Sequence, residues 1–233
     1  MAELSKSKIA IVDYGRGNLF SVKNACDLVG LNGNITSSKE DVLKSDGIIL
    51  PGVGAFGSAM DELKRLDLVP VLKDAALSLK PFLGICLGMQ MLMNKSFEFG
   101  VHNGLGLIDG PVKRFEFSTE KKDELFKIPQ MGWNSIERVK EGDREKSWEY
   151  TILDGLDDRD FMYFVHSFYA EPSDPEVILS KTRYGGVEFC SSLRYRNIYG
   201  CQFHPERSGL KGLEIYKNFA KIVKRENDEV EYE

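Results

Sequence analysis

The chain has 233 residues, of which 42% are hydrophobic and 29% are charged, and its formal net charge at pH 7 is −5. This composition is ordinary for a globular protein, and the length suffices for one large domain with a substantial core. The acidic balance gives no sign of a nucleic-acid surface, and no apolar run approaches the roughly 20 residues that span a membrane. We therefore expect neither kind of partner.

The N-terminus and the cysteines indicate in which cellular compartment the protein resides. No apolar segment typical of a secretory signal precedes the first predicted strand. The four cysteines, at positions 26, 86, 190 and 201, form no close pairs and have no metal-ligand spacing. We expect a protein of the reducing cytoplasm with three structural thiols, one reactive thiol, no metal site and no cofactor.

The first half of the chain alternates apolar strands with helical patterns. Strands are predicted at 8–12, 47–50 and 81–85. Helices are predicted at 19–29, 58–66, 69–79 and 87–95. Because continuous apolar strands separated by helices are typical of parallel sheets, we expect a parallel sheet covered on both faces.

The second half contains shorter alternating segments. Strands are predicted at 112–115, 161–165, 177–180, 187–190 and 198–202, and we expect them to continue the same sheet as antiparallel members. An amphipathic helix is predicted at 210–224, before an acidic, frayed tail at 226–233. The predicted fold class is α/β, with a mixed, mostly parallel sheet flanked by helices and antiparallel additions in the second half. Residues 1–225 form one domain in this prediction.

A cysteine lies where a predicted strand meets a predicted helix, in Gly84-Ile85-Cys86-Leu87-Gly88. Glycines on both sides permit a sharp turn that exposes the cysteine at a helix N-terminus, where the dipole favours the thiolate. Far downstream, His204 supplies an imidazole and Glu206 a carboxylate able to orient it. A lone cysteine is most often a core residue, but this combination predicts a nucleophile, a base and an orienting group for acyl chemistry.

Acyl transfer also needs donors for the charge on the tetrahedral intermediate. The amide of Leu87, directly after the nucleophile, is one candidate. The loop Pro51-Gly52-Val53-Gly54 is the other, because glycines allow backbone N–H groups to approach a ligand closely. The loop could also be a plain turn, and it lacks the Lys and Ser/Thr of a phosphate loop. Strands of an open sheet share a carboxyl edge, which favours the first interpretation.

Two polar side chains near the nucleophile could contact a substrate. Gln90 follows Cys86 by four residues and lies on the same helix face. Pattern alone does not separate substrate contact from a solvated helix residue at this position. Glu98 could receive a substrate ammonium, or it could be an ordinary surface carboxylate.

Six motifs distributed over nearly the whole chain now carry a family likeness. They are Asp13-Tyr14-Gly15-Arg16-Gly17-Asn18-Leu19, Leu50-Pro51-Gly52-Val53-Gly54-Ala55-Phe56-Gly57, Gly84-Ile85-Cys86-Leu87-Gly88-Met89-Gln90, Pro129-Gln130-Met131-Gly132-Trp133-Asn134, Tyr163-Phe164-Val165-His166-Ser167 and Gln202-Phe203-His204-Pro205-Glu206. With them the chain resembles the class I (triad) glutamine amidotransferases, and among these the glutaminase subunits of imidazole glycerol phosphate synthases.

The resemblance assigns roles to residues of the site. It implies that Cys86 is the nucleophile, His204 the base and Glu206 its orienting group. It further implies oxyanion donors at Val53 and Leu87. The residues that it implies for glutamine binding are Gly52, Gly54, Gln90, Glu98, His166, Ser167 and Phe168. In this assignment His166 is a structural loop residue and not a second base.

The resemblance also implies a partner, a (β/α)₈ cyclase subunit that receives ammonia and makes imidazole glycerol phosphate for histidine biosynthesis. The residues that would face this partner in a heterodimer are Asn18, Trp133, Asn134, Tyr163 and Arg207. Arg207 stands where the family usually has a lysine, and residues 94–100 are less acidic than usual. Three alternatives therefore stay open: a surface-sugar amidation synthase as the acceptor, a cysteine peptidase or acyl hydrolase on the same fold, and a non-catalytic regulatory module.

Overall fold

The computed structural model describes residues 7–117, 126–141 and 144–230. The helices are α1 (Leu19–Leu28), α2 (Lys39–Lys44), α3 (Phe56–Arg65), α4 (Val69–Leu77), α5 (Leu87–Met91) and α6 (Gly209–Val230), with 3-10 turns at Pro175–Val177 and Pro205–Arg207. The strands are β1 (Lys8–Val12), β2 (Asn32–Thr36), β3 (Gly47–Leu50), β4 (Phe82–Ile85), β5 (Met93–Ser96), β6 (His102–Asn103), β7 (Ile108–Arg114), β8 (Gln130–Ser135), β9 (Glu137–Arg138), β10 (Lys140–Glu141), β11 (Arg144–Glu145), β12 (Phe161–His166), β13 (Phe168–Ala170), β14 (Ile178–Tyr184), β15 (Val187–Tyr195) and β16 (Ile198–Cys201).

An eight-stranded sheet in the order β2-β1-β3-β4-β16-β15-β14-β9 forms the centre of the protein. The strands from β2 to β16 pair in parallel. The strands β15, β14 and β9 continue the sheet with antiparallel pairing. The prediction of a mixed, mostly parallel sheet with antiparallel additions is confirmed.

Alternate residues of β1 point into two different cores. Ile9 and Ile11 pack with residues of α1 and α6 on one face of the sheet. Ala10 and Val12 pack with residues of α3 and α4 on the other face. Because successive strand residues face opposite sides, a strand covered on both sides must be apolar throughout. This requirement explains the uninterrupted apolar runs of the first half.

The second-half strands do not all join the central sheet, so this part of the prediction is wrong. Of the five predicted strands, those observed as β14, β15 and β16 join it, whereas β7 lies in a four-stranded sheet of order β13-β7-β5-β6 and β12 pairs with β8 alone. In β12 alternate residues are buried while the others stay partly exposed. Such one-sided burial suits a small sheet that covers a larger one.

The helix predicted at 87–95 is also wrong, because α5 ends at Met91 and β5 follows at once. Strand β5 pairs in parallel with β7, with Met93 opposite Ile108. The backbone N–H of Leu105 donates to the Met91 carbonyl at 2.8 Å, which terminates the helix. Pairing with a segment distant in sequence therefore overrides the helix propensity of this methionine-rich run.

Two elements near the N-terminus and the end of the chain also differ from expectation. Strand β2 reads Asn-Gly-Asn-Ile-Thr and has no strand-like apolar pattern, yet it pairs in register with β1 at the sheet edge. Helix α6 runs to Val230, beyond the predicted end at Lys224, and residues 231–233 of the expected tail lie outside the described ranges. None of the described helices is long and apolar enough to cross a membrane.

Candidate active site

Cys86 is the single residue between β4 and α5, and its backbone is strained. Its φ is 53° and its ψ is −108°, a sparsely populated combination that costs a non-glycine residue on the order of 1–3 kcal/mol. The backbone N–H of Cys86 donates to the carbonyl of Cys201 on the adjacent strand at 2.8 Å. This bond holds the turn in place and directs the side chain away from the sheet.

The glycines around Cys86 are required by close packing as well as by the turn. A Cβ at Gly88 would collide with the backbone carbonyl of Leu50. A Cβ at Gly84 would press on the backbone of the first turn of α5, at 2.8 Å from the amide nitrogen of Met89. The strand, the turn and the helix therefore approach more closely than side chains allow, as the sequence pattern predicted.

The end of β16 brings an imidazole and a carboxylate to the same sheet edge as Cys86. Nδ1 of His204 lies 2.8 Å from Oε1 of Glu206, and both side chains are buried. Within the described residues, Nε2 of His204 has no hydrogen-bond partner. Burial opposes protonation of this imidazole, but the charges of Cys86 and Glu206 outweigh burial and raise the pKa of His204 to about 10. The His204–Glu206 pair is thus suited to hold a proton on the imidazole beside the Cys86 side chain.

A cavity of about 310 Å³ lies over the Cys86 side chain. Both residues with predicted oxyanion donors, Val53 and Leu87, line it. The predicted binding residues that line it are Gly54, Gln90, Glu98, His166, Ser167 and Phe168. The structure therefore brings nine of the twelve predicted catalytic, oxyanion and binding residues together around one space of a size suited to a small molecule, whereas His204, Glu206 and Gly52 do not line it.

Gly52 does not line this cavity. It packs against Tyr14, which lies in the turn between β1 and α1. The Tyr14 hydroxyl donates to the Pro51 carbonyl at 2.8 Å, and a Cβ at Gly52 would collide with that hydroxyl. The guanidinium of Arg16 packs against Gly54. We conclude that Tyr14 and Arg16 brace the loop that carries the predicted oxyanion donor Val53.

Only the oxygen of the Gln90 side-chain amide can accept a hydrogen bond from a ligand, because both hydrogens of its nitrogen are already used. Its Nε2 donates to the backbone carbonyl of Phe168 at 2.8 Å and to Oε1 of Gln202 at 3.0 Å. A primary amide nitrogen has two hydrogens, and both are used in these bonds. Oε1 of Gln90 is the atom that remains for a substrate, which suits a bound ammonium.

Glu98 joins the site to helix α3. Its Oε2 accepts the backbone N–H of Phe56 at 2.6 Å, in the first turn of that helix. The N-cap residue Ala55 supplies no side-chain cap, so the carboxylate satisfies an otherwise unpaired N–H. One carboxylate oxygen is therefore structural, and the other remains available at the cavity wall.

Gln202 contacts the nucleophile, a role that the sequence analysis did not assign. This glutamine is fully buried, and its Nε2 lies 3.5 Å from the sulfur of Cys86. Its Oε1 is held by Gln90. The signal that could have identified it is spacing, since residues two apart in extended chain share a face and Gln202 precedes His204 by two.

His166 is a neutral, buried histidine between the cavity and an aromatic cluster. Its Nδ1 lies 2.9 Å from the carbonyl of Phe168, and the ring packs against Phe115 and Phe189. Burial lowers the pKa of His166 to about 3. The Nδ1–H therefore donates to the carbonyl, and the residue is unsuited to the work of a second base.

The predicted partner residues include Tyr163 and Arg207, whose backbones form hydrogen bonds with that of His204. Trp133 and Tyr163 are opposite one another on β8 and β12, with ring centroids 6.1 Å apart. The guanidinium carbon of Arg207 lies 4.4 Å from the Tyr163 ring centroid. Asn134 is the next residue of β8, and exposed Asn18 caps the N-terminus of α1. We call Trp133, Tyr163 and Arg207 the aromatic patch.

The model of the family described as glutamine amidotransferase class-I matches residues 10–223. The match contains the Cys86 turn, the His204–Glu206 pair and the residues that line the cavity over Cys86. The chain belongs to the class-I glutamine amidotransferase family.

Two similar proteins are subunits of imidazole glycerol phosphate synthases. The chain is 45% identical over 216 residues to the imidazole glycerol phosphate synthase subunit HisH 1 of Legionella pneumophila (strain Lens), covering 93% of this chain and 100% of that protein. It is 44% identical over 215 residues to the subunit HisH of Bacillus cereus (strain B4264), covering 92% of this chain and 95% of that protein.

Solved structures of lower identity share the fold. The structure of PurLQS from Thermotoga maritima has a TM-score of 0.66 and 20% identity, covering 95% of this chain and 99% of that chain. A glutamine amidotransferase from the same organism has a TM-score of 0.57 and 16% identity, covering 97% and 86%. These structures support the predicted fold class.

His166 makes the free energy of unfolding fall in acid. Its pKa is lower in the folded chain than in the unfolded chain, so its contribution is present above about pH 6.5 and is lost as the pH falls toward 3. Between pH 7 and pH 5 the loss is about 2 kcal/mol. We expect urea denaturation to show a change between pH 7 and pH 5 that is less favourable by about 2 kcal/mol in the wild type than in His166→Gln, which keeps a donor for Phe168. Equal losses in both proteins would contradict the assignment.

Replacing Gln202 by Met, which has similar volume and no donor, tests its contact with the sulfur. A hydrogen bond to a charged group contributes about 1.5 kcal/mol, so we expect iodoacetamide to alkylate Cys86 about tenfold more slowly at pH 7. Peptide mapping identifies the alkylated residue, and alkylation in urea provides the control, where the two proteins should react equally. An unchanged rate in a folded variant would show that the contact has no chemical effect.

Proposed function

We propose that this chain is the glutaminase subunit of an imidazole glycerol phosphate synthase. It hydrolyses glutamine to glutamate and ammonia in the cytoplasm, and the ammonia passes to a separate cyclase chain in histidine biosynthesis. The observation that carries the proposal is the strained Cys86 turn beside the His204–Glu206 pair. The identity of 45% to a synthase subunit over 93% of the chain supports the pathway.

The proposed reaction has two halves. The Cys86 sulfur attacks the side-chain amide carbon of glutamine, and the backbone N–H groups of Leu87 and Val53 stabilise the oxyanion. His204 donates its proton to the departing nitrogen, which leaves as ammonia. His204 then takes a proton from water, which attacks the thioester and releases glutamate. Glu206 orients the imidazole and stabilises its charged form throughout.

The polar groups of the cavity favour free glutamine over a peptide substrate. Oε1 of Gln90 and the second carboxylate oxygen of Glu98 are both acceptors at the cavity wall. A free amino acid carries an ammonium that these acceptors can bind, whereas a glutamine within a peptide does not. This difference argues against the cysteine peptidase alternative, and the buried triad argues against a non-catalytic module.

The aromatic patch is the proposed docking site of the (β/α)₈ cyclase. The backbone N–H of His204 donates to the Tyr163 carbonyl at 2.8 Å, so the patch and the catalytic base share a direct contact. Exposed aromatic and arginine side chains are typical of interface centres. A partner bound here would cover the side of the site from which ammonia must leave. The relatives named for imidazole glycerol phosphate synthase favour histidine biosynthesis over sugar amidation.

Replacement of the nucleophile tests the proposed chemistry. We expect Cys86→Ala to lower glutamate release from glutamine by more than about 1,000-fold, because no other group forms the thioester. Cys190→Ala, which removes a buried thiol that does not line the cavity, should retain the wild-type rate. Comparable turnover by both variants would refute the mechanism, provided that circular dichroism shows both to be folded.

Docking of the cyclase should raise the glutaminase rate by at least about tenfold. The reason is that the bound cyclase would exclude water from the site and complete the oxyanion site. We expect Trp133→Ala to reduce this stimulation relative to the variant's own isolated rate. Leu77→Ala provides the control, since this exposed leucine ends α4 at the opposite edge of the sheet. Titration of each protein with the cyclase measures both quantities. Stimulation that is identical in the two variants would exclude the aromatic patch.

A further inference from the structure

Two polar atoms, one of them in the His204–Glu206 pair, are buried without a hydrogen-bond partner among the described residues. The first is Oε2 of Glu206, the carboxylate oxygen that His204 does not use. The second is the hydroxyl of Tyr216 on α6. Both side chains are buried. Because a buried polar atom without a partner is costly, each of the two requires a polar neighbour.

Helix α6 packs closely on the turn that carries Glu206. A Cβ at Gly212 would collide with the carbonyl oxygen of Pro205, so the close approach of the helix requires a glycine there. Tyr216 follows Gly212 by four residues and lies on the same helix face. Helical side chains tilt toward the N-terminus of their helix. The Tyr216 side chain is therefore directed back over Gly212, toward the turn that carries Glu206.

The surroundings of the Tyr216 hydroxyl contain one strong acceptor. Cys26 on α1 and Cys201 on β16 belong to the same core cluster as Tyr216. Together with Glu206, they are the titratable groups whose charges act on this hydroxyl. Burial raises the pKa of Cys26 to about 12 and the pKa of Cys201 well above its ordinary value, so both thiols are neutral. Neutral thiols are weak acceptors, which leaves the carboxylate of Glu206.

The Tyr216 hydroxyl and Oε2 of Glu206 have complementary roles in a hydrogen bond. Burial, and then the charge of Glu206, raise the pKa of Tyr216 well above its ordinary value. The hydroxyl therefore keeps its proton and stays a donor. An ionised carboxylate is only an acceptor. A buried water between the two atoms would satisfy both of them, as buried waters in proteins commonly do.

We propose that Tyr216 is a positioning residue for the His204–Glu206 pair: its hydroxyl is linked through one buried water to Oε2 of Glu206 and thereby fixes the carboxylate that orients His204. The inference rests on the proposed glutaminase function. Tyr216 does not line the cavity over Cys86. It therefore acts on the proton transfers of His204 and not on the binding of glutamine.

The proposed link also sets the strength of the interaction between Glu206 and His204. A donor on Oε2 draws negative charge away from the carboxylate, and this weakens the attraction of Oε1 for the Nδ1 proton of His204. Without the Tyr216 hydroxyl, the carboxylate would stabilise the imidazolium more strongly and would itself be held less firmly. Both changes slow the donation of a proton from His204 to the departing nitrogen.

Tyr216→Phe removes only the hydroxyl. We expect kcat for glutamate release to fall about tenfold, as for a lost hydrogen bond to a charged group, with KM within about twofold of the wild type. Tyr184→Phe is the matched control, because the hydroxyl of Tyr184 donates to the Lys127 carbonyl at 2.8 Å. This control should keep kcat within about twofold of the wild type. A wild-type kcat in folded Tyr216→Phe overturns the proposal.

A double-mutant comparison separates an effect through Glu206 from a general loss of packing. In the Glu206→Gln background the carboxylate is absent, so adding Tyr216→Phe should change the residual kcat by less than about twofold. An equal fall in both backgrounds would mean that the hydroxyl acts on something other than the carboxylate, and this result also overturns the proposal.

Proton NMR of the free enzyme tests the link without turnover. The chain has three histidines, and the Nδ1–H resonance of His204 can be assigned by its loss in His204→Asn. We expect this resonance to move downfield in Tyr216→Phe, because the carboxylate becomes a stronger acceptor. The Nδ1–H resonance of His166, which is bonded to the Phe168 carbonyl, should stay in place.

The NMR result also separates this proposal from the proposed function. If the wild-type chain released no glutamate, the glutaminase function would fail, and the shift of the His204 resonance would still decide the role of Tyr216. A His204 resonance that does not move in Tyr216→Phe overturns that role.

Discussion

The chemistry of this protein depends on one backbone constraint, the positive φ of Cys86 between β4 and α5. A conformation that costs on the order of 1–3 kcal/mol persists only where surrounding structure determines it. Here the surroundings are the 2.8 Å hydrogen bond to the Cys201 carbonyl and the close packing at Gly84 and Gly88. The same parallel pairing of β4 with β16 brings His204 to the edge where the sulfur emerges. The strain at Cys86 and the proximity of His204, the proposed nucleophile and base, thus have a common origin.

Two histidines lie near this turn, and their surroundings shift their pKa values in opposite directions. His204 lies beside Cys86 and Glu206, and its pKa is raised to about 10 despite burial. His166 lies among aromatic rings, where burial lowers its pKa to about 3. Opposite shifts in one site favour His204, and not His166, as the group that carries the proton in the proposed mechanism. Hydrogen bonds run from the Phe168 carbonyl through Gln90 and Gln202 to the Cys86 sulfur. They connect the wall of the cavity to the sulfur.

The features that sequence reasoning found are those encoded by local pattern. The apolar runs of β1, β3 and β4 carry their structural meaning within a few residues, whereas the need for Gly88 also depends on the Leu50 carbonyl at the end of another strand. Strand β5 was missed because its pairing with β7 overrides a helical pattern, and the separate sheets of the second half depend on contacts that no local pattern contains. Gln202 was missed as a contact of the sulfur because its amide is oriented by Gln90, which lies 112 positions earlier in the chain.

The claim that the Cys86 sulfur forms a covalent intermediate is the one on which the account of function depends. Acid quenching of the chain during turnover of isotope-labelled glutamine, followed by peptide mapping, tests it directly. The account predicts a labelled γ-glutamyl group in thioester linkage on the peptide that contains Cys86. Label on another residue, or continued turnover with no label on the protein, would contradict it.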